Sequence, residues 1–177
     1  TEPIGTPNNN LVGSLAFWKS EQHLAVPDLM LLPIHVPFLS AEIANQYAIP
    51  ENVFCLVPGL VTPKSRGYIK MKTGGYDSPL EIQPNYLAEP EDLQALVRGV
   101  EIGLELAAEP AFKKIIKNWA APDGLISKKG IEEFVRNATS SYYHPVGTCA
   151  MGNGPDAVVD SQLRVHGITG LRVADAS

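Results

Sequence analysis

Apolar positions in the first half of the chain fall into short runs that prolines and glycines separate. The runs over residues 28–36 and 54–62 are continuous enough to predict buried β-strands. Residues 67–72 mix polar and apolar side chains, which predicts a half-exposed strand, and residues 73–77 follow it as a turn. This half of the chain is therefore predicted to contribute a β-sheet.

The second half begins with the clearest helical pattern in the sequence. Pro90 suits a first helical position, and Glu91 and Asp92 follow in the first turn, where the helix dipole favours anions. The next apolar side chains recur at helical spacing and form one stripe: Leu93, Leu96, Val97, Val100, Leu104 and Ala107. The pattern predicts a helix with one face on a core, which Pro110 ends or separates from the next segment.

Shorter elements follow this helix. One helix is predicted over about residues 111–119, and another over residues 127–137, with Ser127 as its N-cap. Three short β-like pieces come after it, at residues 158–160, 163–165 and 171–173. The mixture of strands and helices predicts an α+β fold.

Composition narrows the functional classes. The chain has 177 residues, of which 45% are hydrophobic, and this suits one globular domain of ordinary size. The net charge is -5 and the sequence has no block of Lys or Arg, so nucleic-acid binding is not predicted. The sequence contains no run of about 18 apolar residues, so no membrane span is predicted. Cys55 and Cys149 could form one disulfide, but a reduced pair is the favoured interpretation.

The densest group of chemically active side chains lies at residues 141–152. Pro145 biases His144 toward an extended backbone, Gly147 permits close approach of the backbone to a ligand, and Thr148 adds a hydroxyl. An imidazole held in this way can be aimed at a flat cofactor. An interior histidine with a satisfied hydrogen bond would show the same local sequence, so these residues alone leave both interpretations open.

Several short motifs follow one another along the chain. His-Pro-Val-Gly-Thr-Cys-Ala-Met-Gly at residues 144–152 precedes Val-Val-Asp at 158–160 and Gly-Leu-Arg-Val-Ala-Asp-Ala-Ser at 170–177. Pro-Lys-Ser-Arg-Gly at residues 63–67 and Pro-Asn-Tyr-Leu at 84–87 stand upstream. Their order and spacing resemble the C-terminal portion of the glucose–methanol–choline (GMC) oxidoreductase family.

The resemblance implies a domain organisation and a cofactor. Residues 1–26 would be a fragment edge or linker, and residues 27–140 a substrate-binding domain of antiparallel sheet and helices. Residues 141–177 would form a C-terminal catalytic segment that returns to the FAD-binding domain. The chain would thus be a truncated part of an FAD-dependent enzyme that oxidises the CH–OH group of a small-molecule alcohol.

The resemblance also implies roles for individual residues. His144 takes the place of the family's histidine at the flavin ring, where it acts as the general base of alcohol oxidation. Tyr143 and Val146 would lie near the isoalloxazine. Asp175 and Ala176 take the place of an Asp-Ala pair that contacts FAD. The carbinol hydride would pass to the flavin, which carries the redox work.

Two parts of the family pattern are missing. The sequence contains no Gly-x-Gly-x-x-Gly stretch, which holds the ADP half of FAD in this family. A second catalytic His or Asn would fall beyond Ser177. The chain by itself is therefore expected neither to hold FAD tightly nor to turn over alcohol. The alternatives are a non-catalytic binding or structural domain, and a lyase or decarboxylase on the same scaffold.

Other candidates are interpreted as structural. His166 is predicted to lie in a turn with a surface or packing role, and Asn85 to fix a turn through its side chain. His144 and Cys149 lack the spacing of a zinc site, so no metal ligands are predicted. Alternate residues of the first predicted strand fit a substrate pocket or a buried strand equally well: Leu32, Ile34, Val36 and Phe38.

Overall fold

The computed structural model describes residues 12–122 and 127–177. The chain divides into two compact units. The first takes its described residues from Thr1–Arg66 and Asn85–Ser140, and the second consists of Gly67–Pro84 and Ser141–Ser177. Strands and helices occur together, which confirms the predicted α+β class. The roles assigned from the sequence to residues 1–26, 27–140 and 141–177 stay predictions.

Three antiparallel strands form the sheet in the described part of the first unit, in the order β1–β2–β3. β1 spans Ala16–Trp18, β2 spans Leu29–Ile34 and β3 spans Cys55–Leu60. β2 pairs along its whole length with β3 and lies between the two other strands. Four of its six residues are buried, which confirms the buried strand predicted over residues 28–36.

The long helix α2, Pro90–Ala107, packs on this sheet. A Cβ atom on Gly99 would stand 2.6 Å from Pro58 Cβ, so the missing side chain allows the helix to approach β3 closely. The predicted apolar stripe faces the core, where Leu93, Leu96, Val97 and Ala107 are buried. Burial of such side chains stabilises the fold by about 1.5–3 kcal/mol for each of the larger ones.

Three shorter helices occur in the described residues of the first unit. α1 spans Ala41–Gln46, α3 spans Pro110–Lys113 and α4 spans Lys128–Ala138. Ser127 caps α4 as predicted, because its hydroxyl oxygen accepts a hydrogen bond from the Gly130 N–H at 3.2 Å. The buried face of α4 packs on α2, so the two helices and the sheet share one core.

The helix predicted over residues 111–119 is wrong in its extent. α3 ends at Lys113, and only the N–H groups of Ile115 and Ile116 continue the turn by bonding to the Phe112 carbonyl. α3 buries none of its residues, and Ile115 is 63% exposed. A segment this short is not stable as a helix without a packed face, and the chain therefore leaves the helical path.

The hydrophobic pattern does not predict β1 or α1. β1 falls inside residues 1–26, which were assigned to a linker, and its three residues are exposed. Its extended form comes from pairing with β2. In α1, the Ser40 hydroxyl accepts a bond from the Ile43 N–H and donates one to the Asn137 carbonyl. Both elements thus depend on partners elsewhere in the chain.

A β-hairpin belongs to the second unit and consists of β4, Tyr68–Met71, and β5, Leu80–Gln83. The register places four apolar side chains on one face, and each is 49–65% exposed: Ile69, Met71, Leu80 and Ile82. The other face is polar, and the Tyr68 hydroxyl donates to the Glu81 carboxylate at 2.5 Å. The alternation Leu-Glu-Ile-Gln is the signal from which β5 could have been predicted.

Gly67 lies at the open end of this hairpin, where the two strands approach closely. A Cβ at Gly67 would stand 2.2 Å from the Gln83 carbonyl oxygen. We expect Gly67→Ala to force the strands apart, at a cost of about 1–3 kcal/mol or more, because backbone atoms cannot move aside as a flexible side chain does. Amide hydrogen exchange in β4 should become faster. Gly74→Ala in the same hairpin is the control, because no atom lies within 4 Å of the added Cβ. Equal protection of β4 in the two variants would contradict the prediction.

Candidate active site

Residues 141–147, here called the histidine segment, are bent on both sides of His144. The Ser141 hydroxyl oxygen accepts a hydrogen bond from the Tyr143 N–H at 2.8 Å, and Tyr143 has a φ of 64°. This left-handed conformation is rare for a bulky residue. Gly147 has a φ of 105°, which only glycine adopts readily, and a Cβ at this position would meet no atom within 4 Å.

Residues 174–177, here called the tail, return to the histidine segment. The Ser177 carbonyl oxygen accepts hydrogen bonds from the N–H groups of Gly147 and Cys149, at 2.5 and 3.1 Å. Asp175 Oδ1 accepts a bond from the Ser177 N–H at 2.9 Å. Hydrogen bonds from the Ser177 side chain and backbone lower the pKa of Asp175. The tail that carries Asp175 therefore lies beside the histidine segment, although the two are far apart in the sequence.

The residues predicted for the site are all exposed: Tyr143, His144, Val146, Asp175 and Ala176. Tyr143 and Val146 are 76% and 72% exposed. Within this chain, His144 is therefore accessible at the surface. The histidine segment therefore leaves an aromatic side chain, an aliphatic side chain and an imidazole accessible to a ligand.

Residues 148–173 connect the histidine segment to the tail and form a compact region, here called the support. Val159 is 2% exposed, and isolated β-bridges pair it with Met151 and with Val165. A further bridge pairs Arg164 with Arg172. The three predicted β-like pieces are therefore single pairings rather than strands, because each is too short to extend a ladder.

Asp160 and His166 stabilise turns within this support. The Asp160 carboxylate accepts bonds from the N–H groups of Gln162 and Arg164 and from the Arg164 guanidinium. The backbone bond from Arg164 is the largest cause that lowers the pKa of Asp160, to about 2. His166 is exposed and its Nε2 lies 2.9 Å from the Gly152 carbonyl oxygen, which agrees with the surface or packing role predicted for this histidine.

One contact of His144 escaped sequence reasoning. The ring centroids of Tyr142 and His144 are 5.2 Å apart, and the ring planes meet at 68°, an edge-to-face arrangement. No local sequence signal predicts this contact, because it depends on the left-handed backbone of Tyr143 between the two rings.

Three further residues have structural roles. The Asn85 side-chain amide donates to the Arg66 carbonyl at 3.0 Å, and the Asn85 carbonyl accepts a bond from the Ala88 N–H, so this residue fixes a turn as predicted. Leu32 and Ile34 are 4% and 6% exposed, which favours the buried-strand interpretation over a pocket lining for both.

Cysteine, metal and membrane features add no further site. Cys55 and Cys149 are free thiols, and burial raises the pKa of Cys55. Residues 12–122 and 127–177 contain no group of three or more His, Cys, Asp or Glu side chains placed to bind a metal ion. Within the same ranges, no helix combines the length and the apolar character needed to cross a membrane.

Comparison with protein families and curated relatives gives one consistent result. A family model described as GMC oxidoreductase matches residues 63–177. The alcohol dehydrogenase [acceptor] of Pseudomonas putida is 36% identical over 177 residues, covering 98% of this chain and 31% of that protein. The choline oxidase of Arthrobacter globiformis is 34% identical over 167 residues, covering 91% of this chain and 30% of that protein.

Solved structures show the same relationship. Pyridoxine 4-oxidase from Mesorbium loti has a TM-score of 0.82 at 26% identity, and the similarity covers 94% of this chain and 33% of that protein. Formate oxidase of Aspergillus oryzae has a TM-score of 0.72 at 27% identity, and the similarity covers 86% of this chain and 27% of that protein. The chain spans about a third of the length of its relatives. Since the family model covers more than half of the sequence and the fold agrees, this chain belongs to the GMC oxidoreductase family.

Proposed function

We propose that this chain is the C-terminal part of an FAD-dependent enzyme that oxidises the CH–OH group of a small-molecule alcohol, with His144 as general base. The observation that carries the proposal is that His144, Tyr143 and Val146 are all exposed in one short segment, to which the tail is hydrogen-bonded. The names of the relatives agree with it, because they include an alcohol dehydrogenase and a choline oxidase. The activity belongs to the complete enzyme, of which this chain is about a third by the length of its relatives.

The exposed residues fit the flavin portion of FAD. Tyr143 and Val146 offer apolar contact to the face of a flat ring, and the open space at Gly147 lets the ligand approach the backbone. Asp175 and Ala176 lie on the tail that is hydrogen-bonded to this segment, and they would contact the cofactor. The solved structure of the Aspergillus oryzae formate oxidase concerns the modification of its FAD, which supports the same cofactor here. The ADP half would be held by parts of the enzyme outside this sequence.

His144 removes the proton that makes the alcohol a poor hydride donor. The O–H proton passes to an imidazole nitrogen, and a neutral imidazole is a base well suited to neutral pH. Bound near Tyr143 and Val146, FAD would supply the acceptor for the hydride of the carbinol carbon, so that the alcohol would become a carbonyl compound.

Anaerobic reduction of the flavin tests this function. The complete enzyme that contains this segment is mixed with a panel of primary alcohols, choline included, and the absorbance of oxidised flavin is followed. At least one alcohol is expected to bleach the flavin. The 177-residue chain, incubated with FAD and desalted, is expected to retain no yellow colour. A flavin that stays oxidised with every alcohol would favour a non-catalytic domain instead, and bleaching without a carbonyl product would favour another reaction on the same scaffold.

A further inference from the structure

The side chain of His144 is held by an unusual local arrangement. Within the described residues the imidazole has no hydrogen-bond partner, and it packs edge-to-face with the Tyr142 ring, whose centroid lies 5.2 Å away. A catalytic imidazole without a hydrogen bond can rotate about both side-chain torsions. The aromatic contact is therefore what restricts its orientation in this part of the chain.

The backbone between the two rings creates this contact. Tyr143 has a φ of 64°, a conformation that bulky residues rarely adopt, and the Ser141 hydroxyl stabilises the bend by accepting the Tyr143 N–H. The bend draws the residues on its two sides together, so the Tyr142 and His144 rings meet while Tyr143 is 76% exposed. Pro145 restricts the backbone of His144 from the other side.

The physical properties of the two rings explain the orientation. The face of an aromatic ring is electron-rich and its edge is electron-poor, so an edge-to-face pair is favoured over other arrangements at this distance. Tyr142 is 41% exposed, so it is partly anchored but not part of a core whose loss would unfold the unit. Its hydroxyl is not needed for the contact, since the ring alone provides it.

We propose that Tyr142 is a positioning residue that orients the His144 imidazole toward its substrate through edge-to-face ring packing. The proposal rests on the function proposed for His144, but the contact itself can be tested without flavin or alcohol. It assigns to Tyr142 a role that depends on the aromatic ring and not on the phenolic hydroxyl.

The contact is tested by NMR on the 177-residue chain labelled with ¹³C and ¹⁵N at its four histidines. His144→Gln identifies the His144 signals. Tyr142→Leu is expected to shift the ring-proton resonances of His144 more than those of the other histidines, because the ring current of Tyr142 is lost. Tyr142→Phe should keep them close to their original positions. Tyr76→Leu, which removes a fully exposed tyrosine, is the matched control and should leave them in place. Unchanged His144 resonances in Tyr142→Leu would overturn the contact.

The positioning role is tested in the complete enzyme by stopped-flow reduction of the flavin. We expect Tyr142→Leu to lower the rate of flavin reduction about 3- to 10-fold, the scale of one aromatic pair, with little change in the KM for alcohol. Tyr142→Phe should restore most of the rate. If Tyr142→Leu shifts the His144 resonances but leaves the rate unchanged, the positioning role is wrong. If His144→Ala also leaves the rate unchanged, the proposed function fails, and the two failures are thereby distinguished.

Discussion

Replacing His144 with alanine is expected to slow anaerobic reduction of the flavin by about 10²–10⁴-fold in the complete enzyme, the usual effect of losing a general acid–base group. The alanine side chain cannot accept the O–H proton of the alcohol, so hydride would have to leave from a neutral alcohol. Since His144 is exposed and makes no hydrogen bond within the described residues, its removal should leave the fold intact. Activity and stability are thus expected to separate.

The measurement is the stopped-flow rate at saturating alcohol, together with the FAD content of the purified protein. His23→Ala is the control, because the His23 side chain is 74% exposed and belongs to the first unit, whereas His144 belongs to the second. The control should reduce its flavin at the rate of the unmodified enzyme. A His144→Ala enzyme with full FAD content and an unchanged rate would exclude His144 as the base.

Replacing Asp92 with alanine is expected to lower the free energy of unfolding by about 1–3 kcal/mol, the cost of leaving partly buried donors without acceptors. Asp92 is 3% exposed, and its two carboxylate oxygens accept the N–H groups of Lys64 and Ser65 at 2.9 and 2.8 Å. These bonds attach the loop before the hairpin to the first turn of α2. Alanine removes both acceptors at once.

The same carboxylate predicts a pH dependence of stability. Burial alone would raise the pKa of Asp92, but the hydrogen bonds from Lys64 and Ser65 outweigh it, and the pKa lies below its usual value. A group with a depressed pKa stabilises the fold fully above its unfolded value, about 3.9 for Asp, and this stabilisation is lost as the pH falls through the folded value. Acid unfolding should therefore depend less on pH in Asp92→Ala than in the unmodified chain.

Urea unfolding of the 177-residue chain at neutral and acidic pH measures both effects. Glu91→Ala is the matched control, because Glu91 shares the first turn of α2 but forms an exposed ion pair with Lys64 at 3.1 Å. Loss of such an exposed pair has little effect on stability, because solvent screens it. Asp92→Asn should fall between the two, since one of its oxygens becomes an NH₂ group that cannot accept a bond. If Asp92→Ala and Glu91→Ala lose equal amounts of unfolding free energy, the hydrogen bonds of Asp92 do not stabilise the fold beyond the interaction of both acids with the helix dipole.

Local patterns were sufficient for the parts of the fold whose hydrophobic periodicity is strong. The stripe from Leu93 to Ala107 predicted α2 and its buried face, and the run over residues 28–36 predicted the central strand. The acid at position 92 was predicted only as a favourable charge at a helix start. The structure shows it buried and bonded to a loop, which no periodicity could reveal because its partners lie 27 and 28 positions away.

The candidate site shows the same division between local and distant information. Its residues were identified by motif, and the structure places the motif at residues 144–152 beside the tail. The ring contact between Tyr142 and His144 was not identified, because it depends on the left-handed backbone of Tyr143. That conformation is held by the surrounding structure and is not a preference of tyrosine.

The sequence by itself determined the α+β class, the main helix and central strand, the resemblance to the GMC family and the residues of the candidate site. Tertiary structure alone decided that β1 is a strand, that α3 stops at Lys113, and that the tail returns to bond Gly147 and Cys149. The physical reason is common to these cases. Periodicity and motifs report what neighbouring residues prefer, whereas strand pairing, burial of a short helix and hydrogen bonds to a distant carbonyl depend on which segments meet.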